Sequence, residues 1–200
     1  MQATIDLEAA LKYRQQHAVL VDVRSPAEYV EASIPGAINV PLFSNEERAE
    51  IGTLYKQQGK MSARRRGVVI AAPKIPDFIA QVESARGLST LPAIIFCWRG
   101  GMRSLAMTSF LNLAGIPARQ LIGGHKVFRR MVCGYFDEYL WPRIYVLRGL
   151  TGIGKTRILR ELEEQGQPVV DLEKIANHRG SAFGGLGLAK QPGQKQFEAR

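Results

Sequence analysis

The chain has 200 residues, 46% hydrophobic and 22% charged, the balance of a soluble globular protein, and its length suits one ordinary domain or one plus a fragment of another. Two cysteines, Cys97 and Cys133, exclude a disulfide framework. The absence of a basic-then-apolar leader or a membrane-spanning apolar run points to a reducing cytoplasm. The formal net charge of +9 favours a polyanionic partner, most simply nucleic acid, over a basic protein that binds nothing.

Val19-Leu20-Val21-Asp22-Val23 reads as a buried strand ended by Ser25-Pro26, and Ala37 to Val40 as a second strand bracketed by Pro35-Gly36 and Pro41. Asn45 to Gln58 suggests a helix, with Asn45 or Ser44 as its N-cap. Val68-Val69-Ile70-Ala71 is strand-like, with the start of a helical region as the alternative. Pro76 to Arg86 is amphipathic, Ala93 to Phe96 is a buried strand, and a helix is expected from about Arg103 to Leu113. Arg119 to Ile122 is a short strand, and Lys126 to Tyr139 is helical. Strands alternating with helices predict an α/β domain around a mostly parallel sheet, over residues 1–140. Beyond Trp141-Pro142 the pattern restarts with a strand at Arg143 to Leu147 and a helix opening at Lys155. A further strand follows at Pro168 to Asp171, then a Gly-rich loop from Gly180 to Gly187 and a polar tail from Lys190. A P-loop domain ordinarily needs more residues than the roughly 60 that remain, so residues 141–200 are expected to be an incomplete second domain.

Two stretches carry chemistry. In Phe96-Cys97-Trp98-Arg99-Gly100-Gly101-Met102-Arg103-Ser104, an apolar strand ends at a thiol and a glycine-containing loop leads into a helix. Backbone N–H groups and the positive helix end converge there, which favours a thiolate and cradles a tetrahedral anion. Cys97 is the expected nucleophile, and Trp98, Arg99, Gly100, Gly101, Met102 and Arg103 the expected cradle. The Cys-x5-Arg spacing suits a phosphate-sized anion, with Arg103 as a bidentate fork and Arg99 as a further charge. Cys133, in an apolar stretch, is expected to serve packing.

The second stretch, Gly149-Leu150-Thr151-Gly152-Ile153-Gly154-Lys155-Thr156, fits the P-loop pattern. Its glycines let backbone N–H groups approach phosphates. Lys155 is expected on a terminal phosphate and Thr156 on a possible Mg²⁺. Asp171 is read either as a second-site acid holding a metal-bound water or as a surface aspartate.

Three separated motifs resemble the rhodanese domain over about residues 5–135: Asp22 to Tyr29 followed by Ile34 to Pro41, the Cys97 loop, and Leu121-Ile122-Gly123-Gly124. Ser33 stands where many members of that family carry histidine, with an effect expected on packing more than on chemistry. The resemblance implies that Cys97 accepts a chalcogen atom as a persulfide or its selenium analogue. A rhodanese domain joined to a P-loop, with Asp171-Leu172-Glu173 running into Ala176 to Gly184, resembles the tRNA 2-selenouridine synthase family along essentially the whole chain.

That resemblance implies replacement of sulfur at C2 of a wobble uridine by selenium from selenophosphate, through an S-geranyl-2-thiouridine formed from geranyl diphosphate. It implies tRNA as partner, an enzyme that supplies selenophosphate as another, no membrane, and a diphosphate on the P-loop. Arg64-Arg65-Arg66 is a candidate RNA contact, with a solvated basic loop as its alternative. Rhodanese-type sulfur transfer, Cys-x5-Arg phosphatase activity and a non-catalytic nucleotide or RNA module remain open as other readings.

Overall fold

The structure is a computed structural model that describes residues 3–138, 143–150 and 152–199. It divides into two compact units, residues 1–133 and 134–200.

In the first unit, Thr4–Ile5 (β1), Leu20–Asp22 (β2), Ile38–Asn39 (β3), Ala93–Phe96 (β4) and Ala118–Leu121 (β5) form a five-stranded sheet. The order is β1-β5-β4-β2-β3, and every pairing is parallel. The helices are Leu7–Gln15 (α1), Pro26–Glu31 (α2), Asn45–Ala71 (α3), Ile75–Arg86 (α4), Met102–Leu113 (α5) and Gly124–Glu138 (α6). The central strands β2 and β4 are buried at every position, as a parallel sheet with two covered faces requires. Val21, Ala93 and Ile95 join one core with Phe78 and Val82 of α4 and Met107 and Leu111 of α5. Leu20, Ile94 and Phe96, of opposite parity along the strands, are equally buried.

In the first unit the elements expected from sequence form within a residue or two of their expected ends, with one exception. Val68 to Ala71 is not a strand but the end of α3. Gly59 (φ 85°, ψ 180°) interrupts that helix, and its two arms fold back on each other. Arg66 Nε donates to Glu50 Oε1 at 2.6 Å across the turn. In one straight helix those 16 positions would lie about 24 Å apart. Lys74 Nζ likewise reaches Glu47 at 2.6 Å. The second arm buries Ala63, Gly67, Ile70 and Ala71 at three- and four-residue spacing, so the β-branched run is the buried end of a helix.

Ser44, not Asn45, caps α3, in a capping box with Glu47. Asn45 Oδ1 instead accepts from the Ala27 amide at 2.9 Å. The short elements α1, α2 and β1 were not expected from sequence.

The second unit holds Lys155–Glu164 (α7), Leu172–Ile175 (α8) and Gln194–Glu198 (α9). The strands expected at Arg143 to Leu147 and Pro168 to Asp171 do not form. A strand needs a ladder partner, and none is present among the described residues of this unit. Ile144, Tyr145, Val146 and Leu147 are all exposed there.

Candidate active site

Parallel strands place their ligand-binding loops beyond their carboxyl ends, and β2 and β4 are neighbours in register, Asp22 beside Phe96. The segment from Asp22 to Glu28 and the Cys97 loop therefore emerge side by side.

Cys97 follows β4 and is 3% exposed. The Gly101 amide donates to its Sγ at 3.2 Å, and Ser104 Oγ lies 3.2 Å from the same sulfur. Burial pushes the thiol pKa up. The hydrogen bonds from Ser104 and Gly101, with the charge of Arg103, outweigh burial and leave it below the ordinary thiol value. Ser104 is itself held: Gln120 Nε2 donates to its Oγ at 2.9 Å and to the carbonyls of Gly100 and Gly101 at 2.9 and 3.0 Å. One β5 glutamine thus ties the loop to the helix that follows it.

The loop closes against the start of α6. The amides of His125 and Lys126 donate to the carbonyls of Cys97 and Trp98 at 2.8 and 2.9 Å. Glycine is required on both sides of this approach. Gly100 (φ 64°) and Gly124 (φ 57°) are left-handed. A Cβ on Gly124 would fall on the Cys97 carbonyl oxygen and 2.6 Å from the Gly100 nitrogen. A Cβ on Gly100 would stand 2.7 Å from the Leu121 carbonyl oxygen.

Arg103 does not stand open as an anion fork. Its guanidinium grips Glu28, Nη1 to Oε2 at 2.6 Å and Nη2 to Oε1 at 3.2 Å, joining α5 to α2. Glu28 Oε2 also accepts from the Ser25 amide, completing the α2 capping box. Burial raises the Glu28 pKa, but hydrogen bonds and charge from Arg103 prevail and hold the carboxyl below its usual value. Arg99 is exposed and has no side-chain partner among the described residues. Trp98 is half-buried between Arg24, whose guanidinium lies 5.8 Å from its ring centroid, and the His125 ring at 5.5 Å.

Behind the loop sits a buried charged pair. Asp22 is fully buried and Arg24 is 2% exposed. Arg24 Nη2 donates to Asp22 Oδ2 at 2.7 Å and also to the Ala32 carbonyl, while Ser33 Oγ donates to the same Oδ2 at 2.7 Å. Ser33 therefore completes the shell of a buried carboxylate. Removing either charge of such a pair costs about 3–5 kcal/mol, whereas a single neutral hydrogen bond is worth about 1 kcal/mol.

In the second unit, Gly149, Leu150, Gly152, Ile153 and Gly154 precede α7, which Gly154 starts in the left-handed conformation (φ 92°). Thr151 lies outside the described residues. Lys155 Nζ donates to the carbonyls of Gly149 and Leu150, each at 2.9 Å, so the ammonium is folded over its own loop. Thr156 is exposed in the first turn of α7. Asp171 ends no strand: its Oδ1 accepts from the Lys174 amide at 3.0 Å as the N-cap of α8. Downstream, His178 Nδ1 accepts from the Gly180 amide and the Arg179 amide donates to the Gly184 carbonyl, closing a tight turn.

The structure thus gathers Cys97, Gly101 and Arg103 around one thiol and leaves Arg99 outward. Cys133 is exposed rather than packed, because it falls on the open face of α6 next to buried Val132. Sequence reasoning gave no role to Glu28, Ser104, Gln120 or Asp22. Ser104 had a local signal, a hydroxyl in the first turn after the thiol loop. Glu28 had another, the Ser-x-x-Glu capping box. Gln120 had none.

A family model described as a rhodanese-like domain matches residues 6–131, most of the chain. The chain belongs to the rhodanese-like family, and its first unit is a rhodanese domain. A second model, described as the tRNA 2-selenouridine synthase AAA domain, matches residues 142–200. Along its length the chain is similar to curated tRNA 2-selenouridine synthases. It is 38% identical to that of Nitrosomonas europaea over 90% of this chain and 46% of that protein. It is 37% identical to that of Bdellovibrio bacteriovorus (92% and 48%) and 34% identical to that of Serratia proteamaculans (100% and 53%). The chain spans about half the length of the curated relatives it matches. Among solved structures, the N-terminal domain of a Clostridium difficile 630 protein described as ATP/GTP binding superposes with a TM-score of 0.60. That domain is 40% identical, and the match covers 64% of this chain and 98% of that one. No helix among the described residues is long and apolar enough to cross a membrane.

Proposed function

We propose that this chain is the rhodanese unit and the beginning of the P-loop domain of a tRNA 2-selenouridine synthase. It would exchange the 2-thio sulfur of a wobble uridine for selenium. The observation that carries this reading is the joint one: a thiol loop and a P-loop on one chain, within a similarity to these synthases that covers 90–100% of it. Cys97 acts in the selenation step, its thiolate favoured by Ser104 and Gly101. The donor is selenophosphate, delivered by the enzyme that makes it. The loop amides receive that anion. Arg103, occupied by Glu28, contributes its charge to the thiolate and locks the loop in place.

The P-loop binds a diphosphate, that of geranyl diphosphate in an S-geranyl route. A diphosphate would draw Lys155 off the Gly149 and Leu150 carbonyls, replacing two neutral acceptors by charged ones. Thr156 is a hard oxygen donor of the kind Mg²⁺ takes, and Asp171 keeps one carboxylate oxygen beyond its cap bond, so these residues fit that ion in donor type. Mg²⁺ bound there would neutralise diphosphate charge. The reaction takes place in the cytoplasm, where thiols stay reduced.

The test is nucleoside mass spectrometry of tRNA from cells that lack the modification and receive the gene carrying this chain, wild-type or Cys97→Ser. We expect 2-selenouridine with wild type and none with the variant. Equal amounts with both would remove Cys97 from the reaction, and none with either would overturn the synthase reading.

A further inference from the structure

The sequence presents Arg64-Arg65-Arg66 as one basic triplet, but the structure splits it. Arg66 is bound to Glu50 at 2.6 Å inside the α3 turn-back. Arg64 and Arg65 are exposed, as is Lys60 one turn earlier; Lys60 and Arg64 flank the buried face formed by Ala63, Gly67 and Ile70, and Arg65 lies on the far side of the helix. Arg64 Nη2 lies 3.6 Å from the sulfur of Met102, the first residue of α5 and part of the Cys97 loop segment. Arg64 thus brings this arm of α3 to the thiol loop segment, in which Arg99 is also exposed. The carboxylates nearest in this network are committed elsewhere: Glu28 to Arg103, Glu50 to Arg66 and Glu47 to Lys74. Lys60, Arg64, Arg65 and Arg99 have no carboxylate partner among the described residues.

We propose that Lys60, Arg64, Arg65 and Arg99 form the rail on which RNA backbone phosphates rest while a nucleotide is presented to Cys97, and that Arg66 is no part of it. This rests on the reading of tRNA as substrate. Arg64 and Arg99 at the loop, continued by Lys60 and Arg65 on the same arm of α3, are uncompensated cations spread along that arm and the loop. They fit a spaced row of phosphates better than a single small anion, which the loop amides can hold alone. Each phosphate contact releases counterions, so its loss lowers both affinity and the salt dependence of binding.

The test is fluorescence anisotropy of a transcribed tRNA with the 200-residue chain across a potassium chloride series, with inorganic phosphate as a competing small anion. Wild type is expected to bind with a steep salt slope. In Arg64→Ala/Arg65→Ala, affinity should fall about tenfold or more and the slope should shrink by about 1.5. Arg66→Ala should stay within about twofold of wild type, and Arg64→Lys/Arg65→Lys should keep the slope. A double-alanine variant that binds tRNA like wild type, or an Arg66→Ala variant that loses as much, overturns the rail while tRNA binding stands. A wild-type chain that binds no tRNA overturns both rail and substrate. Should millimolar phosphate displace tRNA from wild type as readily as from the double-alanine variant, the cations hold no phosphate of either kind and the rail falls.

Discussion

Of the groups that favour the Cys97 thiolate, the Ser104 hydroxyl contributes most. Cys97 is almost wholly buried, which by itself favours the neutral form, and Ser104 is the foremost group opposing that. Ser104→Ala should therefore raise the thiol pKa. Ultraviolet titration of thiolate absorbance in a Cys133→Ser background reads this directly, because the exposed second thiol is then gone. An unchanged titration would place control in the Ser104 and Gly101 amides and the charge of Arg103. The position of Cys97 was legible in the sequence, since an apolar run ending in a thiol and a glycine loop has few other uses. Its environment was only half legible. Gln120 reaches Ser104 from β5, 16 residues away, and no local pattern announces that. Arg103 was read as an open fork because its partner is 75 residues distant in sequence.

Between elements, the Glu28–Arg103 pair fastens α2 to α5, one helix after β2 and the other after the thiol loop. The folded-state pKa of Glu28 is depressed, so its stabilisation is complete above the ordinary carboxyl value of 4.5. It is lost as pH falls through the lower folded value. Glu28→Gln should lower stability at neutral pH and flatten the acid limb of the stability curve. Denaturant unfolding at a series of pH values checks this, and parallel acid limbs for the two proteins would contradict it. The strands β2 and β4 were legible as elements because buried parallel strands are continuous apolar runs. The second arm of α3 was not, since Val68-Val69-Ile70 mimics such a run. Only the reversal at Gly59 and the burial of every third or fourth residue identify it as helix. The strands expected after residue 142 share the apolar composition of β2 and β4 and lack what made those real, a neighbour to pair with.

Across the whole chain, apolar burial is uneven. Every buried hydrophobic residue among those described lies between Ile5 and Val132. The second unit leaves Leu150, Ile153, Val170, Leu172 and Phe183 exposed. Local stability follows buried contacts. Amides of β2 and β4 should therefore exchange with solvent about a hundredfold more slowly than those of α7 and α8, a difference of about 3 kcal/mol. Hydrogen exchange followed by mass spectrometry measures both sets in one experiment, and matched protection would mean that the second unit is held by something other than its own core. Part of the +9 charge read at the outset gains a location: acids neutralise Arg66, Lys74 and Arg103, while Arg64 and Arg99 at the thiol loop stay without a carboxylate partner among the described residues.

The contact of Gly100 with the β5 turn and of Gly124 with Cys97 leaves no volume for even one methyl. Every amino acid other than glycine carries that carbon, so every missense change in either codon introduces it. These two codons are closed to drift however freely the surface around them varies. A lineage that remodels the donor, the acceptor or the second unit must do so with this pair of turns already in place. The shape of the thiol loop is therefore set in part by two residues without side chains.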